Sequence, residues 1–507
     1  METFVYKLAK VFYFPKLNLF GETYARGLLT ALCVLIFLGP YIVGGALPSN
    51  VSEQQMRATL AANALYTQAL SVLLFLASLP LMYSHRLAIL TIIRRNLFLV
   101  ILLGWAVLSI TWAFEPAIAF RRIVRLGLIV SVVVTIVAAM PSKRAFLKVV
   151  MFMSGAVLFA DMALLALGGS RDVDGLFIGV HVHKNWAGSF GLIAAVIWMF
   201  SIFMAQRWGQ IITRCAFFAM SIVILFVSGS KTSLAILPVV LPIAFFIEMA
   251  LRRGQRTLLY AMGAMGVGSA LVALAVIIVG PERFVTLVFG DPTLTGRTEI
   301  WAFMFSKIAE SPLLGWGYGS FWEVGDAGPS QQTSSYVIPT INQAHNGYID
   351  VIAQLGYVGI VLLVPVIVMP CIQLFEVAKT RRQIDRNVGV FIALLVAGLI
   401  HNITESSLFV PEHAMWVFTL FSLLQISVYH RNFQEERLRH RARVRQKKSR
   451  RSRPVVAGPA APKPMPPSSP PRGPVPAGVG LSAASASPRS SSGSRRTALR
   501  LRKAHAR

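Results

Sequence analysis

The chain has 507 residues, 55% hydrophobic and only 14% charged, with a mean hydropathy of +0.63 and a formal charge of +28. That balance excludes an ordinary soluble protein, because too many apolar windows would have no water-facing side. It also excludes nucleic acid as the reason for the charge: 20 of the 49 Lys and Arg follow His430, in a Pro-, Ser-, Ala- and Gly-rich tail without interleaved aromatics.

In chain order, residues 1–27 form a basic segment without a cleavable signal, and the first apolar window reads as a start-transfer anchor. About twelve windows follow, each near the roughly 20 residues that a spanning helix needs. They lie near 28–48, 64–83, 96–114, 124–140, 146–168, 186–205, 211–228, 232–250, 258–280, 351–375, 388–405 and 412–429. The sequence thus predicts an all-α, polytopic integral membrane domain over 28–430, between a cytoplasmic segment at 1–27 and a disordered basic tail at 431–507. With a cytoplasmic N-terminus, the short inside connections carry about 19 Lys and Arg against about 10 outside, so both ends fall on one side. Such a tail cannot form a core and is suited to anionic membrane lipid on the cytoplasmic face. Cys33, Cys215 and Cys371 all fall inside windows and read as packing residues.

One polar interval breaks the pattern. Residues 281–345 form a periplasmic loop far longer than ordinary connections, and loops of that length are functional or disordered. This one carries Ile300, Trp301, Met304 and Ile308 at helical spacing over Thr298–Glu310, stopped by Pro312, which predicts an interfacial helix lying on the membrane surface.

The cations on the outside are informative, since the positive-inside bias does not place them there. They are Arg121, Arg122 and Arg125 at the entry to the fourth span, Arg171 and Lys184 beside His181 and His183, then Lys231, and Arg297. Any one of them can snorkel to lipid phosphate. Together they suggest an anionic substrate at one face. Several motifs do not hold up. GSKT at Gly229–Thr232 lacks the glycines and strand of a phosphate-binding loop, and GWGYGS from Gly315 lacks the setting of a dinucleotide site. His181 and His183 have no cysteine or carboxylate set nearby to complete a metal site.

The stretches HVHKNWAGSFG, SGSKTSL, GRTEIWAFMFSKIAESPLLGWGYGSFW, AHNGYIDVIAQLGYVG and HNITES resemble the O-antigen ligase and polymerase superfamily, most of all its ExoQ-type exopolysaccharide polymerases, over roughly residues 90–430. The resemblance implies a GT-C-like glycosyltransferase of the bacterial inner membrane with a periplasmic active site. Its implied donor is an undecaprenyl-pyrophosphate-linked oligosaccharide, with no cofactor or metal. A chain-length regulator and a flippase of the same pathway are the implied partners. A ligase passing glycan to lipid A core is the nearest alternative. A lipid-linked saccharide transporter is the alternative of another class, although no internal repeat is visible.

The chemistry needs neutralisation of a leaving pyrophosphate and removal of a proton from the attacking hydroxyl. Arg297, before a helix N-terminus, suits the first task, with Lys231, Lys184, Arg121, Arg122 and Arg125 as further phosphate ligands. Lys231 stands where the resembled ligases commonly carry arginine, and lysine lacks the planar fork. His345, in the HNGY motif that holds the family's essential histidine, is the expected proton acceptor. Glu405, Tyr348 and Trp316 are candidates for the acceptor sugar. Glu299, Asp350 and Glu405 are not paired carboxylates, which favours a single inverting displacement over a double one.

Overall fold

The computed structural model describes residues 21–44, 53–140, 142–169, 171, 175–181, 183–280, 283, 296–335, 338, 341–379 and 385–451. Two compact units are distinguished, Met1–Arg443 and Val444–Arg507, and the second is described only as the end of the last helix. Among the described residues the regular structure is helical, apart from one isolated bridge between Arg171 and Phe177. The helices are α1 (Glu22–Gly44), α2 (Glu53–Ser84), α3 (Arg86–Arg95), α4 (Leu97–Leu108), α5 (Pro116–Ala139), α6 (Lys143–Ala166), α7 (Lys184–Ile202), α8 (Trp208–Val227), α9 (Lys231–Arg253), α10 (Gln255–Val279), α11 (Arg297–Glu310), α12 (Gly347–Ala378), α13 (Arg386–Thr404) and α14 (Ala414–Arg451).

Each of the twelve apolar windows falls on one of these helices, with the loop helix α11 and the short α3 between them. Eight helices are long and apolar enough to cross a membrane, or nine if α3 and α4, bent by 87° at Asn96, make one broken span. Helix α14 has the length for a span and falls short in hydropathy. Ser422, Gln425, Ser427 and His430 lower its hydropathy, yet it is buried on every side from Ala414 to Val428. It forms the middle of the bundle, with Phe418 stacked on Phe37 of α1 at 5.9 Å and Phe421 against Phe146 of α6 at 4.8 Å.

Helix α7 is buried over 78% of its apolar window and α8 over 17%, which puts α7 in the interior and α8 on the rim. Leu73 and Leu76 on α2, Ile101 on α4, Phe226 on α8 and Val361 and Val364 on α12 are exposed. Apolar surface on that scale needs lipid around it. Prolines inside α2, α9 and α12 are tolerated as in other spanning helices. Of the three cysteines, Cys33 is packed in the core and Cys215 and Cys371 are exposed; none is in a disulfide.

The loop helix departs from expectation. Ile300, Met304 and Ile308 of α11 are buried against Phe321, Trp322, Ala344, Ile349 and Ala353, in a second hydrophobic cluster beside the main core. The apolar stripe expected to lie on the membrane surface is covered by protein, because the segment after Pro312 folds back over it. The glycine motif makes that return possible. Gly317 has φ 90, and a Cβ there would lie 2.6 Å from Ala113, so the chain can run against the end of α4 only without a side chain. Gly356 breaks α12 with φ 68, and Tyr357 N–H and Val358 N–H donate to the Pro312 and Leu313 carbonyls at 2.8 and 3.4 Å. A short arm, residues 347–355, is thereby set off from the long span behind it.

Candidate active site

The HNG triplet at the start of α12 can be explained residue by residue. Asn346 caps the helix, its Oδ1 accepting from Tyr348 N–H at 3.0 Å and Ile349 N–H at 3.1 Å. Gly347 leaves room for Asn402, whose Oδ1 would be 2.2 Å from a Cβ at 347. His345 sits in the left-handed region at φ 51, a strained conformation for a residue with a side chain. It is held there from both sides. Ala344 N–H donates to Asp350 Oδ2 at 3.1 Å, and Asn346 N–H to Ser406 Oγ at 3.0 Å. Asp350 also accepts from Trp322 Nε1 at 2.7 Å, tying the long loop to the arm that carries the histidine.

Glu405, just past the end of α13, is the hub. Its Oε2 is 3.0 Å from His345 Nδ1, and its Oε1 accepts from Arg297 Nη2 at 2.8 Å and Asn185 Nδ2 at 3.2 Å. Its side chain is 6% exposed, against 15% for Arg297 and 22% for His345, so the carboxylate lies behind the two groups that reach solvent. Burial works to raise its pKa; the hydrogen bond and charge of His345, with Arg297, outweigh it and hold the carboxyl below the usual glutamate range. Burial lowers the Arg297 pKa, opposed by Glu405. A carboxylate beside Nδ1 favours the tautomer in which Nδ1–H donates and Nε2 keeps the lone pair.

Four helix N-termini meet here. Asn185 is the second residue of α7, Thr232 is the second of α9 and accepts from Arg297 Nη2 at 3.1 Å, Arg297 opens α11, and Gly347 of α12 donates its N–H to the Glu405 carbonyl at 3.2 Å. Each N-terminus carries about half a positive charge. Lys184 and Lys231 are the first residues of α7 and α9, each one residue from a contact of the cluster. Lys231 is exposed and Lys184 half-buried.

The other expected cations lie elsewhere. Arg122 donates to the carbonyls of Gly319 and Trp322, both at 2.8 Å, and of Glu323 at 3.3 Å, so it straps the long loop to α5. Arg125 pairs with Glu412 at 3.2 Å, and Ser71 Oγ donates to the same carboxylate at 3.1 Å. Burial raises the Glu412 pKa, opposed by Arg125. Among the described residues none of Arg121, Arg122 and Arg125 contacts Glu405, His345 or Arg297; Arg121 is exposed. Arg171 donates to the Gly175 carbonyl at 2.8 Å.

His181 and His183 diverge. His181 turns to Asp161 at 3.4 Å, while His183 caps α7 by accepting from Asn185 N–H at 3.1 Å. Among the described residues no three His, Cys, Asp or Glu are grouped to hold a metal ion.

Of the aromatic candidates, Tyr348 donates its hydroxyl to the Leu399 carbonyl at 2.9 Å and Trp316 its Nε1 to the Lys307 carbonyl at 3.0 Å. Both are therefore anchored in protein. Tyr318 does the same with the Phe409 carbonyl at 2.6 Å.

Asn185, Thr232 and Asn402 escaped the sequence reading although each lies in a motif it singled out. Asn402 is buried and uses both ends of its amide, accepting from Ser407 and Leu408 N–H at 2.9 Å and donating to the Gly398 carbonyl at 2.7 Å and to Ser407 Oγ at 2.9 Å. That folds the turn which presents Glu405. His401 and His413 stand close by, their rings 6.0 Å apart. Burial pushes His413 down to about 3, so it is neutral.

Fold and site together define a class: an all-α polytopic membrane protein with a cationic cluster around an imidazole–carboxylate pair at one end of its bundle. Residues 216–364 match the family model described as O-Antigen ligase. The chain is also similar to the exopolysaccharide production protein ExoQ of Rhizobium meliloti (strain 1021), 26% identical over 281 residues, or 52% of this chain. The match spans 62% of that protein, less than two thirds of its length. Both comparisons bear out the resemblance to the O-antigen ligase and polymerase superfamily, of the ExoQ-like kind.

Proposed function

We propose that this protein is a polysaccharide polymerase of the bacterial inner membrane. It moves a growing glycan from an undecaprenyl-pyrophosphate donor to the hydroxyl of a lipid-linked acceptor, at a periplasmic site, with inversion. The observation that carries the reading is the meeting of His345, Glu405 and Arg297, from segments 60 and 108 residues apart in pairing, where four helix N-termini converge.

His345 Nε2 takes the proton of the attacking hydroxyl while Nδ1–H stays on Glu405, which stabilises the imidazolium as it forms. The oxygen attacks the anomeric carbon and the bond to the pyrophosphate breaks. Arg297, Lys231, Lys184 and the four N-termini receive the negative charge that leaves with the pyrophosphate. Arg122 and Arg125 hold the loops in place, and Arg121 stands on the same helix away from the cluster. A covalent intermediate is disfavoured, since Glu405 is committed to three partners, Asp350 is buried and bonded, and Glu299 accepts from Ser335 Oγ at 2.6 Å.

The match to a family described as O-Antigen ligase keeps a ligase as the second reading, and the two differ only in acceptor. The purified protein should be given a lipid-pyrophosphate oligosaccharide, with chelator and without nucleotide. Longer glycans and released lipid pyrophosphate are expected. Extension only when lipid A core is supplied would make it a ligase, and translocation with the glycan unchanged would overturn both.

A further inference from the structure

A second cationic site lies at the opposite end of the bundle from the cluster around Glu405. Helix α14 begins beside Glu412 and His413 and reaches Arg431 after about 26 Å of helical rise, close to the thickness of a bilayer core. Helix α4, continued by the 3-10 turn Ser109–Trp112, runs back roughly 24 Å in reverse. The turn at its C-terminal end touches the long loop through Tyr318 N–H on Ser109 Oγ at 2.9 Å, so α3, before its N-terminus, lies at the far face. There α3 bends away from α4 by 87°, burying Ile89 and Ile92 and leaving Arg94 exposed and Arg95 half-buried at its last turn.

Arg94 and Arg95 from α3 and Arg431, Gln434 and Glu435 from α14 line an open pocket of about 360 Å³, at the lower end of the range for small-ligand sites. Its charge is not balanced. Arg94 is exposed, with no hydrogen bond or ion pair among the described residues. Arg95 donates to the neutral Gln434 Oε1 at 2.7 Å. Arg431 donates to Asn432 Oδ1 at 3.0 and 3.2 Å and meets Glu435 only at 3.7 Å, and Arg439 draws on that same carboxylate at 3.6 Å. The other nearby acid, Glu376, is taken by His430 at 2.7 Å. Three guanidinium groups from two distant helices thus face one opening with a single shared carboxylate. Like charges gathered this way repel until an anion bridges them.

We propose that this pocket binds a phosphate ester, clamping α3 to α14 through Arg94, Arg95 and Arg431. Planar guanidinium forks suit phosphate oxygens, and the pocket's place at headgroup depth makes an anionic phospholipid the natural source. The proposal rests on the membrane fold alone and is independent of the reaction at the other face.

The test is native mass spectrometry of the full chain in detergent, titrated with phosphatidylglycerol, phosphatidylcholine or glycerol 1-phosphate. Wild type should retain phosphatidylglycerol over phosphatidylcholine. The variant Arg94→Gln/Arg95→Gln/Arg431→Gln should lose that preference, its affinity falling roughly tenfold or more. Arg437→Gln/Arg441→Gln/Arg443→Gln removes the same charge from exposed positions outside the pocket and should retain it. Equal loss in both variants, or no loss in either, overturns the proposal. Displacement of the lipid by glycerol 1-phosphate in wild type alone supports the pocket and assigns it a soluble ester. If the triple variant fails to accumulate, Arg94→Gln alone serves, because Arg94 is exposed and holds nothing in place; unchanged retention there overturns the clamp.

Discussion

Replacing Glu405 with glutamine keeps the length of the side chain and one oxygen to accept from Arg297 and Asn185, but removes the charge and puts an NH2 donor where Oε2 accepted from His345 Nδ1–H. What is lost is the charge-assisted partnership with His345 at 3.0 Å and with Arg297 at 2.8 Å, behind a surface only 6% open. A hydrogen bond to a charged group contributes about 1.5–3 kcal/mol. Only the His345 bond gains charge during the reaction, as the imidazole becomes imidazolium, so kcat should fall roughly 10- to 150-fold. Arg297, released from its counter-charge, should hold the pyrophosphate no more weakly, and the donor KM should stay level or drop. The assay is glycan extension from a lipid-pyrophosphate donor, with kcat and KM measured separately. A pH series adds an independent check. The Glu405 carboxyl titrates lower in the folded protein than the ordinary 4.5, so its contribution to stability is complete above that value and is lost as pH falls through the lower folded value. The wild-type melting temperature should therefore decline in that acid range by a step that Glu405→Gln lacks. A glutamine variant with wild-type kcat would show that His345 gains no proton beside Glu405, and the assignment of the base would go with it.

His345→Ala should lower kcat by roughly 10²- to 10⁴-fold, as expected for removal of a general base, at a normal protein level in the membrane; full activity would leave the mechanism without its proton acceptor. Arg297→Lys keeps the charge but loses the planar fork that can bind Glu405 and Thr232 on one edge and a phosphate on another, so turnover should drop about tenfold or more, and an unchanged rate would make the fork unnecessary. Arg125→Gln strands Glu412 in a buried setting and should cost about 3 kcal/mol of stability, read as a lower melting temperature with the donor KM unaltered; a raised KM would return Arg125 to the donor site. Gly356→Ala places a Cβ 1.9 Å from the Leu313 carbonyl in a left-handed conformation, and the variant should fail to hold α12 against the loop, seen as faster proteolysis after Pro312.

The helices were readable because a spanning helix writes itself as an unbroken apolar run, and every window fell on one. Counting spans was less secure. Core helix α14 dilutes its apolar run with buried serines and a glutamine, a composition that hydropathy cannot separate from a surface helix. The loop helix was found at the right residues but with the wrong covering, since Ile300, Met304 and Ile308 look the same whether they face lipid or Phe321 and Trp322. The site divides along the same line. Arg297, His345 and Glu405 stood out as charged or titratable groups where apolar spans end. Their meeting depends on α9, α11, α12 and α13 packing together, which no local pattern reveals. The arginines of α5 were equally conspicuous, yet their donors are directed to Gly319, Trp322 and Glu412, and only geometry separates a phosphate ligand from a strap.

That separation explains how the site keeps its shape beside a bilayer. The arm carrying His345 is short, strained at its first residue and detached from its span by the break at Gly356, an arrangement that would drift if it relied on helical continuity. It is fixed by bonds from outside instead. Asp350 ties it to Trp322, Asn346 and Gly347 tie it to the turn after α13, and Arg122 ties the intervening loop to α5. Arg125 and Glu412 anchor the far side of the turn that bears Glu405. Lys184 and Lys231, proposed above to face the leaving group, are by contrast the first residues of long helices and need no such support. Under the proposed mechanism, tethers act on the base, where a misplacement of an ångström is costly, and long-range dipoles act on the pyrophosphate, whose charge is spread over several oxygens and tolerates a looser fit. Substitutions at Arg122 or Asp350 should accordingly lower kcat with little change in donor KM, and those at Lys184 or Lys231 should raise donor KM first; the reverse pattern would mean that the straps, and not the helix ends, hold the diphosphate.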